Sequence, residues 1–115
     1  MDENLEKEIV EYQKMEKQLE AVLTQRYQLE AQIEELKNAL AIIEKSSNEI
    51  YKSSGNVLVK VSKDEAIKDI KEKIELIEIR LKTLKDQEEG LKNKLDRLMK
   101  KFQEHMKDFN IREAG

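Results

Sequence analysis

Residues Ile50 to Glu65 read IYKSSGNVLVKVSKDE. Val57, Val59 and Val61 alternate with Leu58 and Lys60, the period-two pattern of a strand, and Ser54-Gly55-Asn56 supplies a turn after the extended Ile50-Tyr51-Lys52. The spacing predicts a single β-hairpin over about residues 49–61. Ser62-Lys63-Asp64-Glu65 then fits the S-x-x-E capping box, in which the Ser62 side chain accepts from the Glu65 amide, so a helix starts at about residue 63. Upstream, Ser46, Ser47 and Asn48 are residues that end a helix by offering the backbone competing hydrogen bonds.

On both sides of this insert the apolar residues recur at heptad spacing. With Leu5 at position a, the first segment places Leu5, Tyr12, Leu19, Arg26, Ile33 and Leu40 at a, and Glu8, Met15, Val22, Leu29, Leu36 and Ile43 at d. All but Arg26 and Glu8 are apolar. After the insert, Ile67, Ile74, Leu81, Glu88, Leu95, Phe102 and Phe109 fall at a, with Ile70, Ile77, Leu84, Leu91, Leu98 and His105 at d. Here only Glu88 and His105 break the pattern. Sustained over about six heptads each, this predicts a coiled coil and not an ordinary amphipathic helix.

Each segment reaches about 65–70 Å at 1.5 Å per residue. The short insert reverses the chain, so the expected class is mainly α: a long antiparallel two-helix coiled coil, helix one over about 3–47 and helix two over about 63–110. The chain is read as a single domain over residues 1–115. If Ser47 lies opposite Lys63, Arg26 and Glu88 come within about four residues of each other along the axis. Either they pair and fix the register, as polar residues at a positions can, or each snorkels separately to water.

Composition excludes several function classes. The 115 residues carry 41% charged and 4% aromatic side chains, and 22 basic against 25 acidic residues leave a net charge of −3. Such a chain has no overall field to attract nucleic acid or an anionic membrane. The Lys-rich LMKKF and HMKDF stretches run beside an acidic strip on helix one, which argues against nucleic acid. There is no cysteine, hence no disulfide or thiolate metal site. With no basic-then-apolar leader and no long apolar run, no membrane association and a cytoplasmic location are expected.

Nothing suggests an enzyme, a cofactor or a metal. His105 has no ligand cluster around it in sequence and reads as a seam histidine. Glu34-Glu35 and Glu88-Glu89 are adjacent on a helix and point apart. Ser53-Ser54-Gly55 lacks the G-x-x-x-x-G-K-[ST] frame of a phosphate loop. Gly90, within helix two, costs about 1 kcal/mol relative to alanine.

The hairpin explains why a tight turn was not used. A two-stranded hairpin is marginal alone, and its open edges present unpaired backbone groups to other strands. Ile50, Tyr51, Val57, Leu58, Val59 and Val61 are therefore expected to oligomerise into a shared sheet or barrel. Ile42 and Leu76 at c and Ile79 at f face away from the helix partner and are assigned to the same contacts. At the other end, Leu5, Ile9, Val10, Tyr12, Met99, Phe102, Met106, Phe109 and Ile111 form a broad apolar stripe. Fraying there exposes it; a fully zipped coil would instead bury its seam members Leu5, Tyr12, Phe102 and Phe109. Acids dominate residues 2–20 and bases residues 92–115, which keeps this end soluble or pairs the two helices.

The stretch IYKSSGNVLVKVSKDEA, followed by LKTLKDQEEGLKNKLDRL, resembles the β-type subunits of prefoldin, particularly the archaeal form. The resemblance covers nearly the whole chain in architecture and is most specific from Ile50 to about Leu98. The single hairpin suits a β-type subunit, since α-type subunits carry two. The resemblance implies a hexamer of two α-type and four β-type subunits, with the hairpins forming a double β-barrel body from which the coiled coils project. It further implies an ATP-independent holdase whose distal tips capture non-native client proteins and pass them to a group II chaperonin. The rival reading is a structural coiled-coil scaffold or spacer that binds one defined partner; it accounts for the heptads but leaves the hairpin without a task.

Overall fold

The computed structural model describes the backbone of residues 3–114 and the side chains of residues 3–110. Helix α1 spans Glu3–Lys45, strands β1 and β2 span Ile50–Ser54 and Val57–Val61, and helix α2 spans Lys63–Ala114. Neither helix contains proline, and both carry acids in the first turn, Glu3 and Glu6 in α1 and Asp64 and Glu65 in α2, where the positive end of the helix dipole favours them.

Helix α1 stops at Lys45, two residues short of the expected boundary, for a local reason. The Ser46 amide donates back only three residues, to the Ile43 carbonyl at 3.2 Å, which tightens the last turn. The Ser46 hydroxyl then accepts from the Asn48 amide at 3.1 Å, drawing the chain out of the helix. Lys45, in the last turn, lies at the negative end of the dipole. Helix α2 begins as the capping residues predict: the Glu65 amide donates to Ser62 Oγ at 3.1 Å and the Ala66 amide to the Ser62 carbonyl at 3.0 Å. It continues to Ala114 instead of ending near 110, because Arg112, Glu113 and Ala114 are good helix formers and no breaker precedes Gly115.

Between the helices the strands pair antiparallel, Ile50 with Val61, Lys52 with Val59 and Ser54 with Val57. The two-residue connection is Gly55-Asn56. Gly55 has φ of 60°, and no other residue with positive φ is found among those described, so the turn is of the II′ kind, with glycine at the first central position. A Cβ at Gly55 would meet nothing within 4 Å; it is the backbone angle, not crowding, that asks for glycine.

By its internal contacts the chain divides into two units. A terminal unit joins the described residues up to Gln25 with those from Leu84 onward; a hairpin unit comprises Arg26–Thr83. Within the hairpin unit, Leu36 and Ala39 lie against Lys73 and Ile77, while Glu44 lies against Lys63, so the helices run antiparallel. Within the terminal unit Glu8 meets Lys101 and His105, and Tyr12 lies beside Leu98.

The heptad seam is visible in the burial of both units: a and d residues from Leu5 to His105 are buried or half-buried. Leu5 and Leu84 are buried in the terminal unit, and Ile33, Ala66 and Leu81 in the hairpin unit. No described side chain reaches complete burial, as expected of two helices that cover only one stripe of each other.

Candidate interaction surfaces

Strand alternation puts Ile50, Lys52, Ser54, Val57, Val59 and Val61 on one face of the hairpin and Tyr51, Ser53, Leu58 and Lys60 on the other. Only the base of the first face is covered. Ile50 and Val61 are half-buried and share a small cavity with Ile43, Ala66 and Ile70 at the helix ends. Beyond them Val57, Val59 and Tyr51 are exposed, and Leu58 is 69% exposed. The sheet has two strands among the described residues, so both outer edges carry backbone groups without a strand partner.

Polar side chains fix this exposed ribbon in place. The Tyr51 hydroxyl donates to Glu49 Oε2 at 2.6 Å, and Lys60 Nζ donates to Glu49 Oε1 at 2.9 Å, joining two residues that face each other across the strands. The Tyr51 hydroxyl, and after it the Lys60 ammonium, lower the Glu49 carboxyl pKa below its ordinary value, and the same bond to Glu49 raises the Tyr51 phenol. Lys52 Nζ reaches Asp69 of α2 at 3.4 Å.

In the hairpin unit, Ile42 and Leu76 are largely uncovered, at 70% and 68%, and Ile79 is exposed as well. Leu76 borders an open groove with Leu36, Ala39 and Ile77. Tyr27, which the heptad reading passed over, is a further exposed apolar residue, its ring 5.9 Å from the Arg26 guanidinium carbon. An aromatic residue outside a and d was the signal available in the sequence. Arg26 Nε donates to Glu30 at 2.9 Å in the hairpin unit, while Glu88, buried in the terminal unit, has Lys92 Nζ at 2.9 Å. The pairing of Arg26 with Glu88 stays a proposal.

The terminal unit sorts its apolar residues into two groups. Leu5 is 7% exposed and belongs to the core; Ile9, Tyr12 and Phe102 are half-buried. Val10, Met99, Met106 and Phe109 are exposed, and the side chain of Ile111 lies outside the described residues. Ile9, Tyr12, Leu98, Met99 and Phe102 line a groove whose polar members are Glu8, Gln13 and Glu16. Leu98, read only as a seam residue, is thus also part of an accessible surface.

The two polar d positions of this unit meet. His105 Nδ1 is 2.9 Å from Glu8 Oε2, and Lys101 Nζ is 4.0 Å from Glu8 Oε1. Both facing atoms, Glu8 Oε2 and His105 Nδ1, are buried, and neither makes a hydrogen bond to the other or to any further group. The seam thus holds a carboxylate and an imidazole where its pattern called for two apolar groups.

Among the described residues no helix is long and apolar enough to cross a membrane, and no cluster of three His, Cys, Asp or Glu could hold a metal ion. The fold defines a class: an antiparallel helical coiled coil whose helices are joined by a single β-hairpin with uncovered edges. Residues 6–109 match the family model described as prefoldin subunit. The prefoldin subunit beta of Archaeoglobus fulgidus is 41% identical over 97 residues, covering 83% of this chain and 84% of that one. That of Pyrococcus furiosus is 38% identical over 90 residues, covering 76% and 77%. The crystal structure of the prefoldin beta subunit from Thermococcus strain KS-1 superposes with a TM-score of 0.86 at 32% identity, over 90% of this chain and 93% of that one. The chain belongs to the prefoldin subunit family and is of the β type. Membership gives its coarse function, that of a chaperone subunit.

Proposed function

We propose that this chain works as the β-type subunit of an ATP-independent holdase, assembling through its hairpin with further copies of itself and with an α-type companion. The observation that carries the reading is the hairpin itself: a solvated two-stranded ribbon with Leu58, Val57 and Val59 uncovered and both edges open is stable only when other strands complete it. Ile42, Leu76 and Ile79, exposed on the same unit, extend the surface available to neighbouring subunits.

Clients are held by the terminal unit. The exposed Val10, Met99, Met106 and Phe109 and the groove beside Ile9, Tyr12 and Phe102 offer apolar contact without directional bonds, the property needed to bind chains that share only exposed apolar groups. Methionine adapts its shape to varied partners. Leu5 contributes from within the seam, and release goes to a group II chaperonin without nucleotide, in a cytoplasmic setting.

Co-purification followed by native mass spectrometry tests assembly: a complex with a companion subunit is expected, and a solitary chain would overturn it. Removing residues 1–10 and 102–115 tests client binding. The truncated protein is expected to assemble but to lose suppression of aggregation of a denatured substrate; undiminished suppression would sink the terminal unit as the site.

A further inference from the structure

Met99 and Met106 stand one heptad apart on α2, with Phe102 and Phe109 three residues beyond each. This spacing of three and four sets all four on one face of the helix. Both methionines are 37% exposed, so each forms part of the accessible apolar surface of this unit. Met99 also borders the groove of Ile9, Tyr12 and Leu98. The chain has no cysteine, which leaves its four methionines as the only sulfur able to react with a mild oxidant. Met15 is half-buried in the seam of α1, and Met1 lies outside the described residues.

We infer that Met99 and Met106 form a reversible oxidation site that switches the terminal apolar surface from sticky to polar, an inference that rests on the client-binding reading above. The oxidant is a peroxide. A sulfur lone pair attacks one oxygen of hydrogen peroxide, the O–O bond breaks, and a proton shift releases the second oxygen as water. Sulfur loses two electrons and peroxide gains two. The product sulfoxide carries a strong S–O dipole and accepts hydrogen bonds from water, so the stripe that the methionines share with Phe102 and Phe109 gains less by shedding its hydration. A sulfoxide reductase with a dithiol reverses the step, returning the oxygen as water and the dithiol as a disulfide.

The test uses the full-length chain in the assembly in which it purifies, beside an M99L/M106L variant that keeps the face apolar without oxidisable sulfur. Both are treated with hydrogen peroxide, sulfoxides are located by peptide mass, and each protein is compared with its own untreated form. The readouts are suppression of aggregation of a denatured substrate and binding of a hydrophobic dye. Oxidised wild type is expected to need several-fold more protein for half-suppression and to bind less dye, with both restored by the reductase, while the variant does not respond to peroxide. Full suppression and dye binding by wild type carrying both sulfoxides would overturn the inference. So would an equal loss in the variant, which would move the effect to Met1 or Met15. If untreated wild type fails to suppress aggregation, the client-binding reading falls, and the dye measurement still decides whether oxidation abolishes the apolar surface.

Discussion

The ammonium of Lys63, the first residue of α2, donates to the main-chain carbonyl of Glu44 in the last turn of α1 at 2.7 Å, and to that of Ser46 at 3.3 Å. One side chain thereby caps the end of one helix from the start of the other, supplying donors to carbonyls that have no partner within α1. Lys63→Met is expected to cost about 0.5–1 kcal/mol, the usual worth of a cation at a helix C-terminus, read as a lower urea midpoint. Lys63→Arg should recover part of it. An unchanged midpoint in Lys63→Met would mean that water replaces the cap at no cost.

Gly55 permits a second measurement at the other end of the hairpin. Since a Cβ there has open space, Gly55→Ala should cost about 1–2 kcal/mol from the positive φ alone, and Gly55→Asn less, because asparagine is with glycine among the residues that such hairpin turns use. Thermal unfolding of the three proteins checks the order; equal destabilisation by Ala and Asn would argue that the turn has another shape.

Assembly and folding should separate at Leu58. With 69% of its surface exposed, this residue contributes little to the fold of a single chain. Leu58→Asp is therefore expected to leave helical circular dichroism intact while native mass spectrometry shows loss of the higher oligomer. A variant that still assembles would show that Leu58 faces solvent in the complex too.

The Glu49 contact makes the hairpin sensitive to acid and to strong base. The folded pKa of Glu49 lies below its ordinary 4.5, so the stabilisation is present above that ordinary value and is lost as pH falls through the lower, folded value. The Tyr51 phenol is raised above its ordinary 10.0; its share is present below that value and is lost as pH rises through the higher, folded one. Glu49→Gln should flatten the acid limb of a stability–pH curve. An identical acid limb in that variant would remove Glu49 from the account.

The facing pair Glu8 and His105 yields a prediction of opposite sign to most substitutions. Glu8 keeps only 14% of its side chain exposed, and taking a charge out of water is repaid only by good geometry and full hydrogen bonding. Replacing both residues by leucine is expected to be neutral or to stabilise by about 1–4 kcal/mol. His105→Leu alone should destabilise, since it leaves the carboxylate with only Lys101, 4.0 Å away. A double-mutant cycle measured in urea decides; a double variant weaker than both singles would contradict it.

How much of this was legible beforehand depends on the range of the interaction. The seam from Leu5 to His105 follows from a seven-residue period, and Ser62 and Gly55 announce a cap and a turn through neighbours within three residues. The end of α1 was legible to within two residues through Ser46 and Asn48, but not the cap from Lys63, which only the fold brings back. His105 read as an isolated seam residue, since recognising Glu8 as its partner requires the register of two helices to within one turn. Tyr27 sits outside a and d, as Ile42, Leu76 and Ile79 do, and the same heptad argument that singled those out applied to it as well.

The seam also has a consequence for how this chain can change over evolutionary time. Its buried and half-buried a and d residues are spread over both units, and none of those described is completely enclosed, so no single layer is the keystone of the packing. Deleting one heptad from each helix at matching heights would join like to like across the cut. Each helix can thus be lengthened or shortened in steps of about 10 Å, while the β-hairpin between them is inherited untouched.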